Sequence, residues 1–286
     1  MLHEPTSDEG SGAEAPSGSP KMHVRRMGLD APGAIARWWF DGNPLLTHSA
    51  NALNCLFPAG ERFFVRSVRA YADRIDDPAL LQEVRAFAAQ EVNHGRAHDQ
   101  VNVVLEMQGY EMKSFLDWYE HLAFEVIEPW APPVLRLSLT VALEHLTATM
   151  AEDMLTDTLL NTADPQIARL LRWHASEEIE HKAVAFDVLK KVDGRYVVRI
   201  AGMGLAVGLL LFFWTAGTRH LLKQEPTVTR ARIADERAKM RKNGVRRSRF
   251  MRGAFGAYFK RSFHPDDSDD RGLARDYLAS IGRLVS

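Results

Sequence analysis

The sequence has one cysteine, almost no net charge and no sustained alternation of apolar and polar residues. Its 286 residues include only Cys55, which excludes an intramolecular disulfide and suits a reducing compartment. The formal net charge of −1 gives no general attraction to nucleic acid, so no nucleic-acid partner is expected. The lack of a period-two pattern excludes a sheet-based fold and predicts an all-α protein.

The first 22 residues also lack an apolar run like that of a secretory signal. They are rich in Gly, Ser, Pro and acidic residues, which predicts a disordered tail and a cytoplasmic location. The chain as a whole has 46% hydrophobic and 26% charged residues. This composition is ordinary for a globular protein and allows a substantial core.

The most informative stretch runs from Trp173 to Val188 and contains two histidines and a glutamate at helical spacing. Glu178 and His181 are three residues apart, so on an α-helix they project from one face, and His174 lies one turn before Glu178. Two neutral imidazoles and a carboxylate on one face are typical ligands of a first-row transition metal. The stretch therefore predicts a metal site on this helix.

An earlier stretch repeats this pattern. Glu91 and His94 have the same three-residue spacing, and His98 follows one turn later. In both stretches an Asp-Pro pair predicts the start of the helix, and Glu91 and Glu178 each come 13 residues after that proline. The repeat indicates an internal duplication of one helical unit.

Two neighbouring acids, Glu177 and Glu180, are alternative ligands on the second of these helices. Glu177 is four residues from His181, a spacing that also suits one helical face. Only Glu178 reproduces both the offset from the proline and the offset to the histidine. We therefore choose Glu178 as the ligand and interpret Glu177 and Glu180 as solvated acids or as partners of the ligands.

One further glutamate lies upstream of each copy. Glu61 precedes Glu91 by 30 residues and Glu144 precedes Glu178 by 34, which leaves room for an antiparallel return. Pro58 predicts an interruption of the first helix, so Glu61 is either a carboxylate aimed at the metal or an exposed acid in a first helical turn. Its position in the series favours the ligand role.

The candidate ligands follow the order of a dinuclear four-helix bundle, in which two helices supply one Glu each and two supply a Glu-x-x-His. They are Glu61, Glu91, His94, Glu144, Glu178 and His181. With this set the sequence resembles the ferritin-like di-metal carboxylate superfamily. From about Arg25 onward, including segments 37–40 and 60–69, it is also similar to the bacterial family of predicted metal-dependent hydrolases.

These resemblances imply a ferritin-like four-helix bundle that holds two iron ions, with manganese as the alternative. The order His174, Glu178, His181 resembles the corresponding helix of di-iron arylamine N-oxygenases, which implies that His174 is a third imidazole ligand. His98 and Thr147 are then expected outside the ligand shell, as partners of the ligands. Thr147 could also line a substrate cavity.

A dinuclear centre of this kind implies activation of dioxygen to oxidise a hydrophobic small molecule, with an electron donor as a further partner. The hydrolase-family resemblance implies the alternative, hydrolysis by a metal-activated water. Iron storage or a structural metal bundle is a third, non-enzymatic alternative.

The 18 residues from 200 to 217 carry no charge and, as a helix, extend about 27 Å, close to the minimum for a membrane span. They either lie in one leaflet at the inner face of the cytoplasmic membrane, are buried against the bundle or a second subunit, or cross the membrane. From Arg219 to Arg261, 14 basic residues accompany three acidic ones. The predicted organisation is a tail (1–22), a metal-binding bundle (23–196) with a crossover (110–133), an apolar helix (197–218) and a basic helical region (219–286).

Overall fold

The computed structural model describes residues 22–156, 158–242 and 255–282. Regular structure in these ranges is helical, apart from one isolated bridge between Phe40 and Ala163, so the predicted all-α fold is confirmed. Most of the predicted tail, residues 1–21, lies outside the described residues, as do 243–254 and 283–286 of the predicted basic region. The predicted division into a bundle and a separate basic region stays a prediction.

In the described part of the chain, the α-helices of eight or more residues are α1 (Pro44–Arg69), α2 (Pro78–Met107), α3 (Lys113–Glu120), α4 (Pro133–Thr156), α5 (Pro165–His181), α6 (Val184–Val192), α7 (Tyr196–Lys223), α8 (Arg230–Lys242) and α9 (Arg271–Ser280). Four of them, α1, α2, α4 and α5, pack against one another and carry the predicted ligands. A crossover joins α2 to α4, and it contains a π-helical turn, His121–Ile127, after α3.

A polar cap followed by proline starts three of the bundle helices. The side chain of Asn43 accepts from Leu46 N at the start of α1, and Asp77 and Asp164 do the same for the first amides of α2 and α5. The missing N–H of proline costs nothing at this position, because the first amides of a helix have no partner within it. The predicted starts at Asp77 and Asp164 are confirmed.

The predicted interruption at Pro58 is wrong, because α1 continues through it. An interior proline costs about 3 kcal/mol. Phe63 and Phe64 are buried just beyond it, and burial of such side chains contributes about 1.5–3 kcal/mol each. Gly95 of α2 faces Pro58 and lets the two helices approach closely. Packing on both sides of the proline thus outweighs one lost hydrogen bond.

The sequence pattern predicts one helix from Pro165 to Val192, but the chain divides into α5 and α6 after His181. No proline or glycine marks this break. The buried ammonium of Lys182 donates there to Asp270 and to the Ser268 carbonyl, next to α9. This contact between distant parts of the chain has no counterpart in the local pattern, and the part of the helix that carries the ligands is unaffected.

The apolar helix α7 packs against α1 and α4 along its length. Met203 and Phe213 on its inner face are buried, whereas Leu211 and Phe212 on its outer face are about half exposed (52% and 51%). By length and composition α7 could cross a membrane, and 28% of its most apolar window is buried. Its inner face therefore belongs to the core. Contact of the outer face with a membrane or a second subunit stays a prediction.

Candidate metal centre

All seven predicted ligands lie together in the interior of the bundle, each at most 5% exposed. Helix α1 supplies one of them, α2 two, α4 one and α5 three. Carboxylates that lose their hydration in such a place must be protonated, paired or bound to a cation. The residues are Glu61, Glu91, His94, Glu144, His174, Glu178 and His181.

Two groups of three residues lie side by side, and each group could hold one metal ion. In each group, one ligand atom per residue lies within 4.8 Å of the others. His174 Nε2 lies 3.8 Å from Glu61 Oε1 in the first group, and His181 Nε2 lies 3.1 Å from Glu91 Oε1 in the second. The groups are Glu61, His94 and His174, and Glu91, Glu178 and His181.

Two carboxylates lie between the groups. Glu178 Oε1 is 3.6 Å from His94 Nδ1 and 3.5 Å from His181 Nε2. Glu91 Oε1 is 4.0 Å and 3.1 Å from the same two nitrogens. Glu144 is absent from both groups, but its Oε2 lies 3.4 Å from His181 Nε2. Glu91 and Glu178 are thus positioned to bridge two ions, with Glu144 beside the second.

Eight of the donor atoms at the centre lack hydrogen-bond partners, although they are buried. Buried polar atoms in proteins are almost always hydrogen-bonded, so a cluster of exceptions needs an explanation. Two divalent cations would satisfy the atoms and would balance the charge of four carboxylates. The residues therefore fit a dinuclear metal centre. The unpartnered atoms are both carboxylate oxygens of Glu61, Glu91 and Glu144, Nδ1 of His94 and Nε2 of His181.

Comparison with known families agrees with this geometry. A family described as predicted metal-dependent hydrolase matches residues 23–269, which include every residue of the centre. The chain belongs to this family. No curated protein and no solved structure matches the chain. The ferritin-like resemblance therefore stays a prediction beside the confirmed hydrolase-family membership.

In this family member, polar partners determine which ring nitrogen of His94 and which of His181 faces the centre. His94 Nε2 lies 3.0 Å from Glu177 Oε2 and donates to it, which leaves Nδ1 free for a metal. His181 Nδ1 donates to Gln90 Oε1 over 3.0 Å, which leaves Nε2 free. Glu177, the alternative ligand, is thus a buried partner of His94, and Arg25 holds its other oxygen at 3.1 Å.

A row of three side chains orients His174. Asn54 donates its amide to the His98 carbonyl and to Asn102, so Asn54 Oδ1 must accept from His98 Nδ1, which is 2.7 Å away. His98 Nε2 is then an acceptor for the N–H of His174 Nδ1, also at 2.7 Å. His174 Nε2 is left without a proton, 2.8 Å from Glu178 Oε1. In the structure His98 thus contacts the ring nitrogen of His174 that does not face Glu178, as expected for a residue that orients a ligand.

Burial dominates the electrostatics of the centre. Burial raises the pKa of Glu61 well above its usual range, and the charge of Glu91 adds to this. Burial and the neighbouring Glu178 raise the pKa of Glu144 to about 7. Burial opposes protonation of His181, but the carboxylates of Glu178 and Glu144 outweigh it and raise the pKa of His181. The centre therefore requires positive charge, which protons or metal ions can supply.

An apolar cavity with about 120 Å³ of free space reaches the centre between α1, α4 and α7. Glu61 and Thr147 line it, so one carboxylate of the first donor group lies at its wall. The Thr147 hydroxyl contacts Oε2 of Glu178 in a short hydrogen bond. Thr147 therefore lies between the cavity and one of the carboxylates that could bridge two ions.

Proposed function

We propose that this family member is a dinuclear metal enzyme that hydrolyses an ester-type bond in a largely apolar substrate. The observation that carries the proposal is the cluster of unpartnered carboxylate and imidazole atoms in and beside two adjacent groups, one member of which, Glu61, lines an apolar cavity. Membership in a family of predicted metal-dependent hydrolases favours hydrolysis over other reactions of such a centre.

Each residue has a defined task in this proposal. Glu91 and Glu178 would be shared between two ions, and Glu61 and Glu144 would each contribute to one of them. Two bound divalent ions would lower the pKa of a water molecule and polarise a carbonyl group. In the overall reaction the water oxygen forms a bond to the acyl carbon and the bond from that carbon to the alcohol oxygen breaks. One proton of the water ends on the alcohol and the other belongs to the acid product. The Thr147 contact keeps Glu178 oriented meanwhile.

A second candidate is oxidation of an apolar substrate by dioxygen with the same donors. The observation that favours it is the third imidazole, His174, beside four carboxylates, a donor set that also suits two iron ions. An electron donor would then be a necessary partner. Metal-centred oxidation needs dioxygen and a reductant, whereas hydrolysis needs neither. Assays of one protein preparation with and without them can therefore distinguish the two reactions.

The test combines metal content with activity. Protein purified without dioxygen is expected to contain about two metal ions per chain by mass spectrometry, and to hydrolyse apolar esters without dioxygen or reductant. Glu91→Ala with Glu178→Ala should remove the metal and the activity while helicity by circular dichroism remains. Glu106→Ala, an exposed acid on α2, is the matched control.

Full metal content in the double variant would contradict the ligand assignment. Two ions per chain with reductant-dependent dioxygen consumption and no hydrolysis would replace the first candidate with the second.

A further inference from the structure

We infer that the cavity beside the metal centre binds one long, unbranched acyl chain. This substrate class rests on the proposed function for the reaction, whereas binding of the chain does not require the metal. The inference starts from the composition of the cavity wall. Helices α1, α4 and α7, with the crossover, line it with leucine and phenylalanine side chains, among them Phe64, Phe124, Leu139, Leu143 and Leu209.

Hydrogen-bonding groups on the wall are confined to a few positions. The hydroxyl of Tyr119 is already used, because it donates to the Leu56 carbonyl at 3.1 Å. Glu61 and Thr147 face the metal centre, and Glu128 and Arg136 lie at one end. Between these positions a sugar, peptide or nucleotide would lose its hydration without compensation, which costs a buried polar group about 1–3 kcal/mol or more. The wall therefore selects an apolar ligand.

The shape of the cavity selects a chain rather than a ring system. Arg136, Leu139, Leu143, Thr147 and Met150 share one face of α4 and all line it. These 14 residue steps extend about 21 Å along the helix axis. Because the lining residues of α4 are spread over this length on one face of the helix, the cavity is elongated along α4. An extended acyl chain fits such a space better than a compact molecule.

The polar positions give the chain a direction. Thr147 and Glu61 mark the part of the cavity next to the centre, so the bond to be cleaved lies there. Arg136 lies 11 residues from Thr147, or about 16 Å along α4. Its Nη1 is 3.9 Å from Glu128 Oε1, and Glu128 also pairs with Arg66 at 2.7 Å. These charges end the apolar wall and set a maximum length for the chain.

Binding can be measured on the full chain without metal by fluorescence of a dansyl-labelled fatty acid. Unlabelled straight-chain fatty acids should displace it about fourfold better per added methylene, since each buried methylene contributes about 0.8 kcal/mol. The gain should stop when the chain reaches the charged end. Branched and aromatic acids with equal carbon counts should compete at least tenfold less well.

Two variants test the location of the chain. Leu143→Trp fills the cavity and should weaken binding at least tenfold. Leu155→Trp, a half-buried position on the same helix outside the cavity, should not. If Leu143→Trp does not fold, Leu209→Phe on α7 takes its place. Equal binding by the cavity-filling variant and the control, or no binding by the unsubstituted chain, would overturn the inference.

These outcomes are distinct from a failure of the proposed hydrolysis. Chain binding without turnover of straight-chain esters would contradict the proposed function and leave the binding site in place. Hydrolysis of short esters with no gain from longer acyl chains would support the function and contradict this inference.

Discussion

At the residue scale, a missing side chain positions one candidate ligand. Gly95 of α2 faces Glu61 of α1, and a Cβ at Gly95 would lie 3.0 Å from Glu61 Oε2 and 3.7 Å from Pro58 Cα. The helix backbone cannot yield as easily as the carboxylate, so a methyl group there must displace the carboxylate. The glycine is therefore part of the geometry of the first donor group.

Gly95→Ala is expected to lower metal content from about two ions per chain towards one, because Glu61 leaves its position. Thermal stability of the metal-free protein should not fall much, since alanine favours a helix interior over glycine by about 0.8–1 kcal/mol. Mass spectrometry and thermal melts check both statements. Gly204→Ala is the control, because nothing lies within 4 Å of a Cβ there. If Gly95→Ala still bound two ions per chain, the space at Gly95 would not be what positions Glu61.

The hydrogen-bonded row behind His174 leads to a second expectation. Asn54→Leu removes the acceptor of His98 Nδ1, so His98 can change tautomer and stop accepting from His174. Partners of metal-binding histidines typically contribute 10–100-fold in affinity, and a loss of this size is expected in chelator competition. Asn54→Asp keeps an acceptor in place and should retain most of the affinity. Equal losses in both variants would point to packing instead.

The donors and their partners differ in how far the sequence could predict them. Glu178 and His181 share a helix, so the helical period alone puts them on one face. Asn54 and Arg25 reach the centre only through tertiary packing. Arg25 pairs with Glu177 across 152 positions of sequence from a segment without regular structure, and no local spacing can indicate such a contact.

At the element scale, two glycines separate the two faces of α7. A Cβ at Gly202 would overlap Ser138 Oγ of α4 and lie 2.5 Å from the Ser138 carbonyl oxygen. Gly204 is exposed and has open space. The apolar composition of α7 predicted a long helix but left its environment open, because a membrane span and a core helix have the same local pattern.

Gly202→Ala is expected to reduce the free energy of unfolding by about 1–3 kcal/mol, since the methyl group forces α7 away from α4. Gly204→Ala should leave stability equal or raise it by up to about 1 kcal/mol through helix propensity. Urea unfolding of the two variants gives the comparison. Equal stability would mean that α7 is not packed through Gly202, and that the exposed and buried faces are assigned wrongly.

At the scale of the whole molecule, Glu225 joins distant parts of the chain. It follows α7 and accepts from Trp38 Nε1 at 3.0 Å, from His48 Nε2 of α1 at 2.9 Å and from the Tyr110 hydroxyl, while Arg37 Nε lies 3.2 Å away. Burial favours the neutral acid. The hydrogen bonds, that of Tyr110 first, outweigh burial and lower the pKa of Glu225 to about 2.

A lowered pKa fixes the sign of the pH dependence. The ionised Glu225 stabilises the fold fully above the pKa of an unfolded glutamate, about 4.3, and this contribution disappears as the pH falls towards 2. Glu225→Gln should therefore cost about 2 kcal/mol at pH 7, the usual contribution of hydrogen bonds to a charged group. The difference from the unsubstituted chain should shrink between about pH 4 and pH 2 in urea unfolding of the metal-free protein, because both chains are then neutral at this position. Glu106→Gln removes an exposed acid and should change neither the free energy of unfolding at pH 7 nor its dependence on pH. A constant difference across this pH range would mean that Glu225 acts through its shape and not through its charge.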